Sequence, residues 1–547
     1  MKKILFVILS FLTISSFGQR TVGIFQNDTS SFNGYTLIAP INSVETYLID
    51  NCGEQVHLWR NSQFNPGASV YLLPNGSLVR TGKITTGEFI AGGSGGKIQQ
   101  FDWNDNLIWD YTLSDSITRQ HHDIHVLPNG NVLALAWDKR TAAQAIQLGL
   151  DTNHYNDDVW GEKIVEIVPN STGTGGTIVW EWSLWDHIIQ DWNSNAANFG
   201  NVSQNPQKID LNFANNNGIS ADYFHANGID YNPILDQIVI SVRNYDEIWV
   251  IDHSTTIQQA AGSAGGNSNM GGDILYRWGN PEAYKNGTIA DKKLFGQHNP
   301  TWIPAGHRNE GDMLVFNNGY NDTNQISRVH RLELPVDSAG NYSRLPNSPF
   351  FPDTAVWTYS LPVFVDFVSG LQSLPNGNIL ICSGPDGHLY ELDSLDQQVW
   401  KYVNPTGPNG AIISQGAPAA SNTLFRAYKY GTNYSAFTNR NLLPRGPIET
   451  NPIASNCTVS TSINNNTNFL DNNVTIIQNP IINELRIEST AYKNLNIDVY
   501  NLTGRLIYST QSNEQQIFIN TSSWSSELYL IIFNDGNSIS TKKVLKL

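Results

Sequence analysis

Cysteine, methionine and charge are all scarce in this chain. Only three cysteines and three methionines occur among 547 residues, and charged residues make up 15% of them. Cys52, Cys382 and Cys457 are far apart and show no CxxC or Cys/His spacing, so the pattern excludes a thiolate zinc site. Cys52 and Cys382 lie near the two ends of the main repeat region; either they pair with each other or they are buried free thiols. Positive charge is the scarcer sign, with 32 Lys and Arg against 48 Asp and Glu and a net charge of −16. Bulk electrostatics therefore exclude nucleic acid and anionic membranes as partners, and any anionic substrate needs a local cationic site. Beyond the amino terminus no segment has about 18 consecutive apolar residues, so no membrane span is expected.

Aromatic residues and glycine are plentiful instead: 15 Trp, 22 Tyr, 22 Phe and 44 Gly, a balance that fits exported all-β proteins. The amino-terminal MKKILFVILSFLTISSFGQR has two lysines, an apolar run and small residues before Gln19. It reads as a secretory signal peptide over 1–19, too short for a convincing membrane span.

Between residues 35 and 440 an irregular repeat recurs. One half is a Pro-Asn-Gly turn followed by an apolar strand, as in LLPNGSLVRTG, VLPNGNVLALA and SLPNGNILICSG. Proline fixes φ and Asn-Gly tolerates positive φ, so each instance predicts a tight turn that starts a strand. The other half is an alternating strand, a polar turn and a short strand carrying tryptophan. One such residue per unit gives Trp59, Trp109, Trp180, Trp278, Trp357 and Trp400. Six units in one order predict a six-bladed β-propeller rather than a β-sandwich array. Residues 441–472 are polar and aperiodic and read as a linker. Short alternating strands over 473–547 predict a small C-terminal β-sandwich. With QNP at 478–480, DVYNLTG, ELYLIIF and the terminal KKVLKL, this tail resembles the C-terminal sorting domain of the type IX secretion system of Bacteroidetes. That resemblance implies a secreted or cell-surface product, with the secretion machinery as a partner.

Three segments bring histidine to strand starts: QHHDIHVLPNGN, YFHANGIDYNPILDQIVISVR and GQHNPTWIPAGHRNEGDMLVF. His121 and His122 precede one Pro-Asn-Gly turn, His225 precedes an expected Asn227-Gly228 turn, and His298 precedes Pro304. Equivalent positions in successive repeats of a propeller face one central channel, so these histidines converge, joined by Arg243 at the end of VISVR. Three neutral imidazoles suit zinc. A guanidinium opposes a dication and suits an anion, so the anion reading is preferred and no metal or other cofactor is expected. A histidine nucleophile among cationic donors is the arrangement for moving a charged group.

HHDIHVLPNGN, the FHANGI and IVISVR pair, GQHNP with LVFNNG, and FRAYKY together resemble the bacterial arylsulfate sulfotransferases. The resemblance implies a six-bladed fold and transfer of a sulfuryl group from a phenolic sulfate ester to a phenolic acceptor. It also implies a ping-pong route through a sulfohistidine, without a nucleotide donor. It makes His298 the nucleophile, with His225 and Arg243 binding sulfuryl oxygens and one more histidine from the HHDIH segment. Adjacent residues on an extended strand face opposite ways, so one of His121 and His122 faces the channel. The motif spacing favours His121, with His122 as the alternative. Asn227 and Asn318 are candidate substrate-binding donors, or simply turn residues. Trp185, Trp192 and Trp302 are candidates for aryl recognition. Two other readings of the same residues are hydrolysis of a sulfate or phosphate ester and a non-catalytic surface-binding propeller.

Overall fold

A computed structural model describes residues 19–153, 155–213, 220–454, 457, 474–489, 495–501, 505–534 and 539–547. The expected signal segment, apart from Gln19, and most of the expected linker lie outside these residues. The chain divides into two compact units, Met1–Val459 and Ser460–Leu547. Among the described residues no helix is long and apolar enough to cross a membrane.

The first unit is a succession of four-strand antiparallel meanders. The second is built from Pro66–Leu72, Leu78–Lys83, Gly96–Phe101 and Leu107–Thr112. The third comprises Thr118–Val126, Val132–Arg140, Val159–Pro169 and Gly176–Ser183, joined to the second by the parallel pairing of Ala68 with His122 and by bridges of Ser94 with His121 and Asp110 with Thr174. The fourth comprises Ala226–Asn232, Gln237–Val242, Glu247–Asp252 and Tyr276–Trp278; the fifth, His298–Trp302, Met313–Asn317, Arg328–Leu332 and Trp357–Ser360. Gly370–Ser373, Ile379–Ser383, His388–Leu392 and Gln398–Val403 make the sixth, to which Gly23–Asn27 adds an outer strand. The first meander is composite. Its strands Gly34–Pro40, Thr46–Ile49 and Gln55–Trp59 take their innermost neighbour, Leu424–Gly431, from the far end of the unit.

Local chemistry accounts for these elements. In each Pro-Asn-Gly turn the glycine has positive φ: 86° at Gly76, 88° at Gly130 and 87° at Gly377. The turn closes through paired backbone bonds, Leu73 with Ser77, Leu127 with Asn131 and Leu374 with Asn378, and the second strand of the sheet starts there. Every one of the six repeat tryptophans occupies the fourth strand of its sheet. Each indole N–H donates to the segment that links the third and fourth strands of the following sheet: Trp59 to Asp102, Trp109 to Gly175, Trp180 to Thr255, Trp278 to Pro352 and Trp357 to Asp396. Trp400 of the sixth sheet donates at 2.8 Å to Asn51 of the first, so the series returns to its start. The fold is all-β and propeller-like, with the apolar core between successive sheets.

The second unit has a three-strand sheet of Val474–Ile476, Glu484–Ser489 and Gln516–Asn520, and a four-strand sheet of Leu506–Ser512, Leu495–Asn501, Leu528–Asn534 and Ile539–Leu545. Leu485 and Ile487 of one share an apolar core with Ile497, Val499, Ile531 and Phe533 of the other.

Three expectations require correction. Cys52 is disulfide-bonded to Cys457, with Cα atoms 5.6 Å apart, and Cys382 is free and buried. Cys52 sits on the turn between the third and fourth strands of the first sheet, and Cys382 lies within the second strand of the sixth. Asn227 and Gly228 form no turn: they lie inside the strand Ala226–Asn232, at an irregularity in its register with Gln237–Val242. Residues flanking the expected 35–440 boundaries also belong to this fold, since Gly23 pairs with Val403 and Thr450 with Ser414.

His253 joins the third and fourth sheets. Its Nδ1 is 2.7 Å from Asp236 and its Nε2 is 3.1 Å from Glu166. Burial lowers its pKa, but the hydrogen bonds and charges of these two carboxylates outweigh that and raise it to about 9. The cationic clamp therefore stabilises the fold fully below the unfolded-state value of about 6.5 and is lost as pH rises through about 9. A His253→Asn variant is expected to lose on the order of 2–3 kcal/mol at pH 6 and little at pH 10, measured by urea denaturation across that range. An equal loss at both pH values would contradict the clamp.

Candidate active site

The inner strands of the third, fourth and fifth sheets approach one another, and side chains of one cap backbone N–H groups of the next. Asp123 accepts from Ile229 N at 3.0 Å, Asp230 from Trp302 N at 2.9 Å and Asn299 from Leu371 N at 2.8 Å. Each inner strand is irregular near its start, and there His122, His225 and Asn299 adopt positive φ of 49°, 57° and 48°. Such conformations cost on the order of 1–3 kcal/mol for non-glycine residues and cluster at functional sites.

That irregularity brings the histidines together. The rings of His122 and His225 meet edge-on with centroids 4.7 Å apart. His121 stacks on Trp137 at 4.3 Å, its Nδ1 lies 2.9 Å from His122 Nδ1, and its Nε2 lies 2.9 Å from Glu162. His121 and His122 thus both belong to the cluster: His122 meets His225, and His121 lies against Glu162. His225 Nδ1 is 2.6 Å from Asp222. Burial raises the Asp222 carboxyl, but the charge and hydrogen bond of His225, with His121 and Trp137, hold it below the usual carboxylate value. His298 Nδ1 is 2.7 Å from Asn318 Oδ1, and the Asn318 amide donates to the carbonyls of Val365 and Val368. Because an amide oxygen only accepts, His298 Nδ1 carries the hydrogen and Nε2 keeps its lone pair.

Arg243 follows the strand Gln237–Val242. Its backbone N–H donates to the His225 carbonyl at 3.0 Å, and its guanidinium lies 4.5 Å over the Tyr320 ring. Burial, Arg243, His225 and Arg426 lower the His298 pKa well below the ordinary imidazole value, against a smaller opposing effect of Asn318. His122 is likewise lowered by burial and then by His225, His121, His298 and Arg426. Both are neutral near pH 7. Asn227 is buried; its amide donates to the Gln297 carbonyl at 2.8 Å, and its Oδ1 has no partner among the described residues. His125 stands apart from the cluster, paired with Asp230 at 3.1 Å. Trp185 is buried and donates to the Asp138 carbonyl, Trp302 is buried, and Trp192 is exposed.

Four contributors were not legible as site residues: Glu162, Asp222, Trp137 and Arg426. Arg426 comes from the returning strand Leu424–Gly431 and binds Asp123 at 2.6 Å, where Tyr71 also donates at 2.8 Å. Burial disfavours its charge, but the Asp123 carboxylate more than compensates and raises its pKa. Asp222 lies three residues before His225, a spacing that could have marked it. Among the described residues no group of three or more His, Cys, Asp or Glu is arranged to hold a metal ion.

A propeller-like all-β unit with neutral, buried imidazoles beside a guanidinium defines a protein equipped to handle an anionic group. Residues 26–404 match the family model described as Arylsulfotransferase (ASST), and the chain belongs to that family, which supports a sulfotransferase-type function. Residues 475–546 match the secretion system C-terminal sorting domain, of the type IX kind, which indicates export to the surface or the medium. Curated proteins offer no match. Among solved structures, the chain is similar to a protein of unknown function from Bacteroides caccae at 13% identity, covering 68% of this chain and 94% of that one with a TM-score of 0.37. A catalytically inactive virginiamycin B lyase from Staphylococcus aureus, solved with quinupristin, is 10% identical over 70% of this chain and 89% of its own, with a TM-score of 0.32. The Cps50 (Swd1) β-propeller domain of Myceliophteria thermophila is 10% identical over 71% and 87%, with a TM-score of 0.34.

Gly93 has φ of 73°, and a Cβ there would lie 2.1 Å from the His122 ring. Gly93→Ala is therefore expected to displace His122 and lower the sulfuryl-transfer rate roughly a hundredfold, the usual cost of about 1 Å of misplacement. The rate is read with an aryl sulfate donor, and circular dichroism checks that the fold is kept; an unimpaired variant would remove His122 from the site.

Proposed function

We propose that this protein transfers a sulfuryl group from a phenolic sulfate ester to a phenolic acceptor by a ping-pong route through a sulfohistidine at His298. One observation carries the reading: a neutral imidazole whose Nδ1 is tied to Asn318, leaving the Nε2 lone pair, in the electrostatic reach of Arg243 and His225. In the first half-reaction His298 Nε2 attacks sulfur, the S–O bond to the aryl oxygen breaks, and the electron pair leaves with the phenolate. Arg243 and His225 hold the sulfuryl oxygens as charge redistributes, with His122 beside them. Asn318 and Asn227 orient the site, the first through His298 and the second through the Gln297 carbonyl that precedes it. In the second half-reaction a phenol takes the group from His298. No metal or nucleotide cofactor enters the scheme.

The reading includes a six-bladed propeller, supported by the six tryptophan bonds that run from sheet to sheet and return to the first. It makes 1–19 an export signal, 35–440 the core of the catalytic domain, 441–472 a linker, and 473–547 a two-sheet sandwich that addresses the product to the type IX machinery.

Purified protein is expected to release nitrophenol from 4-nitrophenyl sulfate in an acceptor-dependent manner, with the group recovered on added phenol. Release without acceptor would support a hydrolase, and no release would support a binding protein. His298→Ala is expected to abolish turnover and the acid-labile sulfated histidine seen by mass spectrometry of enzyme treated with donor alone.

The depressed His298 pKa gives a second test. A nucleophile is lost only on protonation, so the acid limb of the donor half-reaction should fall well below pH 6.5, not at it. Arg243→Gln removes one of the charges that depress it and should move that limb upward in pH while slowing the reaction. An acid limb at pH 6.5 or above in the wild type would count against His298.

A further inference from the structure

A carboxylate that the scheme above does not use sits directly behind the histidine cluster. Glu162, on the third strand of the third sheet, is fully buried. One of its oxygens accepts the backbone N–H of Ala226, the residue after His225, at 2.7 Å. The other lies 2.9 Å from His121 Nε2, and His121 Nδ1 lies 2.9 Å from His122 Nδ1. Glu162, His121 and His122 thus form one chain of hydrogen bonds that ends at the ring facing His225.

The chemistry of these groups sets where the hydrogens lie. A carboxylate only accepts, so His121 Nε2 carries a hydrogen. When that is the only hydrogen on the His121 ring, its Nδ1 has a lone pair, so His122 Nδ1 supplies the next hydrogen and His122 Nε2 keeps a lone pair. Gly93 packs against this ring, and its lack of a side chain lets the ring sit there: a Cβ would lie 2.1 Å from both Cε1 and Nε2. Trp137 stacks on His121 and donates to Asp222 at 2.9 Å, which prevents the His121 ring from turning away.

We infer that Glu162 and His121 are positioning residues that make His122 the base for the acceptor phenol. The inference rests on the sulfohistidine reading and deepens it. In this step the acceptor O–H bond breaks and its proton passes to His122 Nε2. The phenol oxygen bonds to sulfur as the S–Nε2 bond of sulfo-His298 breaks, and that electron pair returns to His298. His122 is left cationic. A shift of its Nδ1 proton to His121 Nδ1 carries the positive charge to the ring that Glu162 holds, where it is paired. The proton then departs to the phenolate of the next donor or to water. Burial and the surrounding charges keep His122 neutral beforehand, so it begins the step able to accept. His225 has a carboxylate partner in Asp222, but no second imidazole lies between them.

The two half-reactions separate this role from a merely structural one. In Glu162→Gln, turnover with phenol as acceptor is expected to fall roughly a hundredfold, the usual contribution of a positioned base. The first-turnover burst of nitrophenol from 4-nitrophenyl sulfate, which needs no such base, should fall far less. An acidic acceptor already ionised at the assay pH should largely rescue the variant. Should Glu162→Gln fail to fold by circular dichroism, His121→Gln provides the same comparison, since it keeps a donor for Glu162 and removes the relaying ring. Equal losses in burst and turnover, with no rescue by the acidic acceptor, would overturn the inference alone. A wild-type enzyme that shows no burst and no sulfated histidine would overturn the sulfohistidine reading and the inference with it.

Discussion

Everything in the first unit depends on the return of the strand Leu424–Gly431 to pair with Gly34–Pro40. A row of meanders has two open edges, and unpaired strand edges invite aggregation. Here the last strand of the unit becomes the innermost strand of its first sheet, so the sheets hold one another in a closed sequence of contacts. The same strand carries Arg426 to Asp123 and Lys429 to Glu391. Both ion pairs are buried, where removing one partner would leave an uncompensated charge. Closure and the floor of the candidate site are thus one feature: if the strand did not return, Asp123 would lose its cation and the segment that carries His121 and His122 would lose its anchor.

The tryptophan bonds perform the complementary task at the periphery. Each indole buries apolar surface against its neighbour sheet while its N–H satisfies a backbone or side-chain acceptor in that sheet. Inner strands are therefore free to be irregular. Their bulges and left-handed residues, unfavourable in isolation, persist because the outer strands fix each sheet independently of them.

This division explains what could be read from the sequence. Turn glycines and outer tryptophans obey local rules, so the turn-and-strand pattern could be read from them. His225 and His298 could be placed together from repeat phase, and Arg243 from its position at the end of the VISVR strand. The pair His121 and His122 was harder, because strict strand alternation sends adjacent side chains to opposite faces. Positive φ at His122 breaks that alternation and lets both rings join the cluster. Glu162 was invisible for another reason. Its strand, VWGEKIVEIVP, is buried on both faces, so an inward glutamate has no polar periodicity to announce it. Arg426 and Cys457 act across the closure of the chain, more than 300 residues from their partners, which local pattern cannot anticipate.

The electrostatics of the site follow from scarcity of positive charge. With a net charge of −16, the surface as a whole repels a sulfate ester. Arg426 is matched by Asp123, and Arg277 by Glu247, so buried guanidinium groups elsewhere present little net charge. Arg243 lays its guanidinium over an aromatic ring, that of Tyr320. The His122 and His298 imidazoles near it are held neutral, first by burial and then by the positive charges around them. A guanidinium beside these neutral rings gives an anion a local place to bind on an otherwise acidic protein. The same positive charge that draws the anion disfavours a proton on His298, so the guanidinium serves both binding and the free lone pair that nucleophilic attack requires.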